Sequence, residues 1–219
     1  MSASFRQLLD DLKSSGELVE INKQVDIRYI AALVDQSDKA LLFKNVEGYE
    51  IPVVSGLTNS RDRLAIAMGC DFSAIEAKVR TGLDHAIEPT TVKNAPIRDV
   101  LVKGEDVDLF KLPVPLFSVL DGGPMITAGI TLSRDPDGEH ENINAGVYRY
   151  LLREKNLTGI DIVTPNNLHR YAKKAFAKGV PLPISINIGT HPYELIASTY
   201  KAAIGTSELG IAGGMRGER

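Results

Sequence analysis

The sequence predicts an α+β protein, with a small mixed α/β unit over residues 1–85 followed by a β-rich part. Three observations carry this. Helix-period and strand-like apolar runs alternate as far as His85. Prolines then recur at 89, 96, 113 and 115, where periodic signals are few, which reads as an extended connector. Beyond it, two period-two runs flank Asp135-Pro136-Asp137-Gly138, a turn signal between strands. The division is 1–105, the α/β domain with its connector, and 106–219, a β-rich domain.

Each element has a local reason. Ser4 is placed to cap a helix whose apolar face is Phe5, Leu8, Leu9 and Leu12, closed by Gly16. ELVEI (17–21) reads as a strand. Asp26 is expected to cap a second helix carrying Ile27, Ile30, Ala31 and Val34. ALLFKNV (40–46) and IPVVSG (51–56) read as short buried strands. Residues 60–69 and 71–85 are helical, broken at Gly69. The end of the connector, VDLFKLPVPLF (107–117), is apolar enough to pack. GIDIV (159–163) and LPISINIG (182–189) read as further strands. Asn166 or Asn167 caps a helix carrying Leu168, Tyr171, Ala172, Ala175 and Phe176, closed by Gly179. Pro192 opens another, expected to run to about Ala203. The remainder, GTSELGIAGGMRGER, reads as a glycine-rich tail.

Composition narrows the function. Of 219 residues, 43% are hydrophobic and 24% charged, an ordinary globular balance. A net charge of −3 with scattered basic residues argues against a nucleic-acid partner. No apolar run is long enough to span a bilayer. The N-terminus reads as an amphipathic helix, not a signal peptide, so a cytoplasmic protein is expected. Cys70, the single cysteine, excludes an internal disulfide and a cysteine-based zinc cluster.

The segment ENINAGVYRYLLREKN (141–156) raises a specific problem. Read as a strand, it puts Ile143, Ala145, Val147, Arg149 and Leu151 on one face. A guanidinium on a face that wants burial must snorkel at a strand end or meet a carboxylate, a phosphate or a ligand. Asn144, His169 and Glu208 together offer an amide oxygen, an imidazole and a carboxylate, a set that suits Mn²⁺ or Mg²⁺. Their spacing is long, and His169 reads equally as a surface residue in a first helical turn. Ser198 and Thr199 sit mid-helix, where hydroxyls commonly bond back to their own helix. His191 reads as a turn residue, a ligand or an acid. The glycines of GIAGGMRGE allow a phosphate cradle or flexible turns, and fit neither the P-loop nor the GxGxxG spacing.

VDLFKLPVP, GPMITAGITLSRDPDG, NINAGVYRY and NNLHRYAKKA, in that order, resemble the UbiD family of decarboxylases, with N-x-G-x-Y-R the most specific block. The resemblance implies a central domain of the split β-barrel, flavin-reductase-like type, here incomplete. It implies prenylated FMN as cofactor with Mn²⁺, K⁺ being a second candidate ion, and reversible non-oxidative decarboxylation of an aromatic or α,β-unsaturated acid. Carried over residue by residue, it makes Asn144, His169 and Glu208 the metal ligands and Arg149 the catalytic arginine. It places Thr127, Asn144, Ala145, Gly146, Val147, Arg149, Leu168, His169, Ser198 and Thr199 at the cofactor. A flavin prenyltransferase as supplier and a homo-oligomer, dimeric or higher, are also implied. Asn144 and Arg149 are five apart, so strict alternation puts them on opposite faces, and a bulge near Gly146 or the strand's end is expected to bring them together.

Family members are longer, and their catalytic glutamates and C-terminal domain lie beyond the positions matched. The chain is therefore expected to be a fragment of a full enzyme. The alternatives are half of a split enzyme and a non-catalytic flavin- or metal-binding subunit. A flavin reductase using the same barrel is a third reading, without a nicotinamide-binding fingerprint to support it.

Overall fold

The computed structural model describes residues 4–163 and 165–218. Helix α1 (Phe5–Ser14) starts where the Ser4 side chain accepts the Gln7 N–H, at 3.2 Å. It buries Leu8 and Leu12 completely, each contributing about 1.5–3 kcal/mol. Strand β1 (Leu18–Ile21) pairs in parallel with β2 (Ala40–Phe43), and β3 (Val53–Ser55) adds antiparallel. The crossover between the parallel strands contains α2 (Ile30–Asp35). That helix begins later than expected. The Asp26 carboxylate does not cap it; it takes the N–H of Arg28 two residues on, and the Arg28 guanidinium as well. This local turn competes with helix nucleation.

Helices α3 (Arg61–Met68) and α4 (Ile75–Asp84) flank the expected break, where Gly69 adopts a left-handed conformation. The connector that follows holds short 3-10 turns at Pro96–Arg98, Gly104–Asp106 and Leu109–Lys111. Its end packs as predicted: Val114 is buried with Ile126, Tyr150 and Leu152, against Leu109 and Leu112.

The second sheet is antiparallel throughout, in the order β6 (Leu157–Asp161), β5 (Asn144–Glu154), β4 (Met125–Ser133), β7 (Ile184–Asn187). The β4–β5 connection is longer than a tight hairpin. Asp135-Pro136-Asp137-Gly138 forms a turn within it, with the Gly138 N–H on the Asp135 carbonyl. The bulge expected near Gly146 is not there, and the irregularity in this pairing lies on the partner strand. Thr127 and Ala128 of β4 together oppose Arg149, while β5 stays regular past Gly146.

Helix α5 (Asn167–Ala177) is capped by Asn166, whose side chain accepts the His169 N–H at 3.0 Å. Phe176, assigned to its apolar face, is 75% exposed. Helix α6 (Pro192–Thr199) stops short of Ala203. The glycine-rich tail is a helix, α7 (Glu208–Arg216), capped by Ser207 and closed by Gly217. Its glycines are contact surface. A Cβ on Gly214 would stand 2.5 Å from the His85 carbonyl oxygen, and one on Gly82 of α4 only 2.7 Å from that of Ile211. Absent side chains let α4 and α7 meet backbone to backbone, so neither a phosphate cradle nor a flexible turn describes them. Met68, Tyr193, Ala197, Ile211, Ala212 and Met215 form the core there, tying α3 to α6 and α7.

Candidate functional site

The site follows from where β6 ends. Its pairing with β5 stops at Arg149–Asp161, so among the described residues no strand pairs with 144–148 on that edge. A buried strand edge still needs partners for its N–H groups. The Glu208 carboxylate supplies one, accepting the Ala145 N–H at 3.0 Å from the first turn of α7. Glu208 is 3% exposed, and burial pushes its carboxyl above the ordinary range, partly offset by the Ala145 and Glu208 amides. Among the described residues no lysine or arginine pairs with it. Helices α5, α6 and α7 all contact β5.

Alternation puts Asn144, Gly146, Tyr148 and Tyr150 on one face of β5. Asn144 is buried opposite Ser133, whose hydroxyl is buried without a partner. Tyr148 lies over Gly146: a Cβ there would be 2.8 Å from the ring and 3.2 Å from the hydroxyl. Burial pushes this phenol up to about 12, with Tyr150 and the Glu208 charge adding to the shift. The backbone N–H of Leu168 acts weakly in the opposite direction. Tyr150 is buried on the Thr131 hydroxyl at 2.5 Å. Tyr171, fully buried two residues beyond His169, has a hydroxyl without a partner, and burial with the charges of Asp135 and Glu208 raises its phenol.

The predicted residues therefore fall into two groups. Asn144, Ala145, Gly146 and Glu208 meet at the open edge of β5, and Leu168 and His169 stand in the first turn of α5, which contacts the same strand. Val147 is half-buried on the opposite face. The two hydroxyls of α6 behave differently. Thr199 bonds back to the Ile196 carbonyl at 2.8 Å, whereas Ser198 is buried and unpartnered. Thr127 and Arg149 form the second group, facing each other across the bulge. Arg149 has met a carboxylate, as one reading allowed: its side chain, 55% exposed, pairs with Asp161 on β6.

Tyr171 and Ser133 carried no assigned role in the sequence. The alternation in NAGVYRY already put Tyr148 on the face of Asn144, whereas Ser133 meets Asn144 only because the β4–β5 connection is longer than the turn signal suggests. A second group also went unassigned. Asp135, Glu139 and His140 bring ligand atoms within 4.8 Å of one another. The Lys174 ammonium already sits among these acids, bonding Asp135 at 3.0 Å and Glu139 at 2.7 Å. Beside the start of α7, a cavity of about 240 Å³ is lined by Glu88, Thr90, Arg134, Asn142, Ile143 and Ser207, among others.

Among known proteins, the 3-octaprenyl-4-hydroxybenzoate carboxy-lyase Rift-related domain (UbiD) matches residues 90–219, and the corresponding N-terminal domain matches residues 9–80. The anhydromevalonate phosphate decarboxylase of Methanothermobacter thermautotrophicus is 30% identical over 207 residues, 94% of this chain and 47% of that protein. Two structures of the UbiD-class enzyme HmfF from Pelotomaculum thermopropionicum superpose with TM-scores of 0.91. One, an evolved dimeric form in complex with prFMN, is 35% identical and covers 98% of this chain and 50% of its own. The other, in complex with FMN, is 34% identical and covers 97% and 48%. The chain spans about half the length of the curated relatives it matches. With both domains matched in order and the fold shared over nearly its whole length, the chain belongs to the UbiD family.

Proposed function

We propose that this chain is the cofactor- and metal-binding part of a prenylated-FMN-dependent decarboxylase, a carboxy-lyase acting reversibly on an aromatic or α,β-unsaturated carboxylic acid. The observation that carries the reading is the buried Glu208 carboxylate bound to the open edge of the NAGVYR strand. A buried anion with no cation beside it is costly, and a divalent ion removes that cost. Asn144, His169 and Glu208 would hold it, and an amide oxygen, an imidazole and a carboxylate suit Mn²⁺. K⁺ is a candidate second ion. Ser198, with its buried unpartnered hydroxyl, is a donor available to the cofactor phosphate. Thr127, Ala145 to Val147, Leu168 and Thr199 would line the same cofactor.

When bound, prenylated FMN supplies the electron sink for the pair released as CO₂ leaves. The chain's own residues bind and orient. Arg149, a planar fork donor already paired with a carboxylate, would exchange Asp161 for the substrate carboxylate. The two groups at the ends of the Asn144–Arg149 segment would then separate cofactor anchoring from substrate holding. In this reading the four-stranded sheet is part of a split, flavin-reductase-like barrel, and the domains divide near residue 105. The working enzyme is a cytoplasmic homo-oligomer loaded by a flavin prenyltransferase.

The test is to produce the chain with a flavin prenyltransferase and manganese, then identify released small molecules by mass and absorbance. Near-stoichiometric prenylated FMN is expected. No flavin would mean that these residues do not suffice for the cofactor site.

A further inference from the structure

The β4–β5 connection, residues 134–143, makes polar contacts towards each element that carries a residue of the ligand set. On one side it holds α5. The Lys174 ammonium bonds Asp135 at 3.0 Å and Glu139 at 2.7 Å, and stands 3.2 Å from Asp137. The Asp135 side chain is fully buried there. Lys178 pairs with Asp137 and donates to the Pro136 carbonyl at 3.4 Å. On the other side the connection holds the approach to α7. The Asn142 amide donates to the Thr206 carbonyl at 2.9 Å. The His140 ring lies against Gly205, where a Cβ would be 3.2 Å from its Nδ1. The connection itself runs directly into Asn144, the first residue of β5.

We propose that this connection is the brace of the metal site, with Lys174 and Asn142 as positioning residues: Lys174 sets α5, and so His169, and Asn142 sets the start of α7, and so Glu208, against the strand that begins at Asn144. The spacing supports it. Asn142 precedes Asn144 by two residues and Thr206 precedes Glu208 by two, so a single hydrogen bond joins the approaches to two ligand positions. Helix α5 is continuous from Asn167 to Ala177, so fixing Lys174 fixes the rotation of its first turn. The buried Asp135 carboxylate needs a cation, and Lys174 supplies it, so these acids serve the brace and not an ion of their own. Ligands drawn from a strand and two helices need such ties, because a small misplacement of one spoils the coordination geometry. The proposal rests on the metal reading given above for its consequence, though not for the contacts themselves.

Asn142→Ala, Lys174→Met and Lys174→Arg test it in the whole chain, by calorimetric titration with Mn²⁺ and by amide hydrogen exchange at Ala145, whose N–H Glu208 holds. Tyr193→Phe is the control, since it removes a buried hydrogen bond, to the Met68 carbonyl, outside the brace. In Asn142→Ala, Mn²⁺ should bind about tenfold more weakly, and Ala145 in the metal-free chain should exchange about tenfold faster than in Tyr193→Phe. Lys174→Met should also weaken Mn²⁺ about tenfold, and Lys174→Arg, which keeps the cation, should restore most of it. An ion seated on the hairpin acids would instead bind more tightly once the ammonium is gone. Tyr193→Phe should keep the wild-type Mn²⁺ affinity even as stability falls. Wild-type affinity in Asn142→Ala overturns the proposal, as does a folded Lys174→Met that binds Mn²⁺ as well as wild type or better. Equal weakening in Tyr193→Phe overturns it too, because general loosening would then explain the loss. If Lys174→Met does not fold, Asn142→Ala decides alone. If the wild type takes up no Mn²⁺, the metal reading fails and Ala145 decides: faster exchange in Asn142→Ala keeps the brace, and unchanged exchange overturns it.

Discussion

Gly214→Ala separates two physical effects that carry opposite signs. In an exposed helix, replacing Gly by Ala stabilises by about 1 kcal/mol. Here the new Cβ would lie 2.5 Å from the His85 carbonyl oxygen and 2.9 Å from the Gly82 Cα, both backbone atoms. Reaching an ordinary 3.4 Å contact requires α7 to retreat by about 0.9 Å, and no rotamer change can relieve it. Overpacking of this kind costs about 1–3 kcal/mol, and the backbone clash argues for the upper end. The net effect should be a loss of about 2 kcal/mol. Urea unfolding followed by circular dichroism measures it, with an unchanged slope confirming that only stability moved. Because Glu208 opens α7, the same retreat should loosen its hold on the Ala145 N–H and speed that amide's exchange. A variant as stable as wild type, or more so, would refute the close approach of α4 and α7 and with it the placement of Glu208.

Further outcomes are expected elsewhere. His191 is buried, its Nδ1 accepts the Tyr193 N–H, its Nε2 has no partner, and burial, aided by Arg216, lowers it to about 4. The unfolded chain therefore binds the extra proton first, and stability should fall as pH drops from 6.5 towards 4, by about 3 kcal/mol in all. Unfolding curves of wild type and His191→Asn, compared at pH 7.5 and pH 4.5, should show a larger loss in the wild type, since the ion-paired carboxylates titrate in both. Arg63, 2% exposed, donates to the Gly56 and Asp38 carbonyls, to Glu17 and to Asn59. Arg63→Met should cost about 3–5 kcal/mol in thermal or urea unfolding, since those acceptors lose their donor together. Arg149→Ala, assayed in an active enzyme containing this chain, should abolish decarboxylation while flavin is retained. Normal turnover would remove Arg149 from the mechanism.

The legible parts of the fold were those set by local chemistry. The Ser4 and Asn166 caps, the Gly69 break and the strands of both sheets follow from side chains within a few residues. Asp26 failed as a cap because its carboxylate found Arg28 first. The tail failed for a different reason: three glycines in nine residues of α7 oppose a helix by propensity, and only packing against α4 makes them an advantage. Long-range partners decide such cases, and a single sequence does not display them. The same holds at the site. Asn144, His169 and Glu208 were a weak set by spacing alone, and the family motifs united them. The bulge expected near Gly146 from the odd spacing of Asn144 and Arg149 is absent; the pair stays apart, and the bulge that exists lies on β4, which alternation within β5 says nothing about.

The most direct test of the site is electron paramagnetic resonance of Mn²⁺ titrated into the chain, repeated with Asn144→Ala, His169→Ala and Glu208→Gln. One bound ion is expected in the wild type, and each substitution should release it to the free-ion spectrum. The contradicting result is equally clear: binding that survives all three changes but disappears with Asp135→Asn or Glu139→Gln would move the metal to the hairpin acids and dissolve the proposed site.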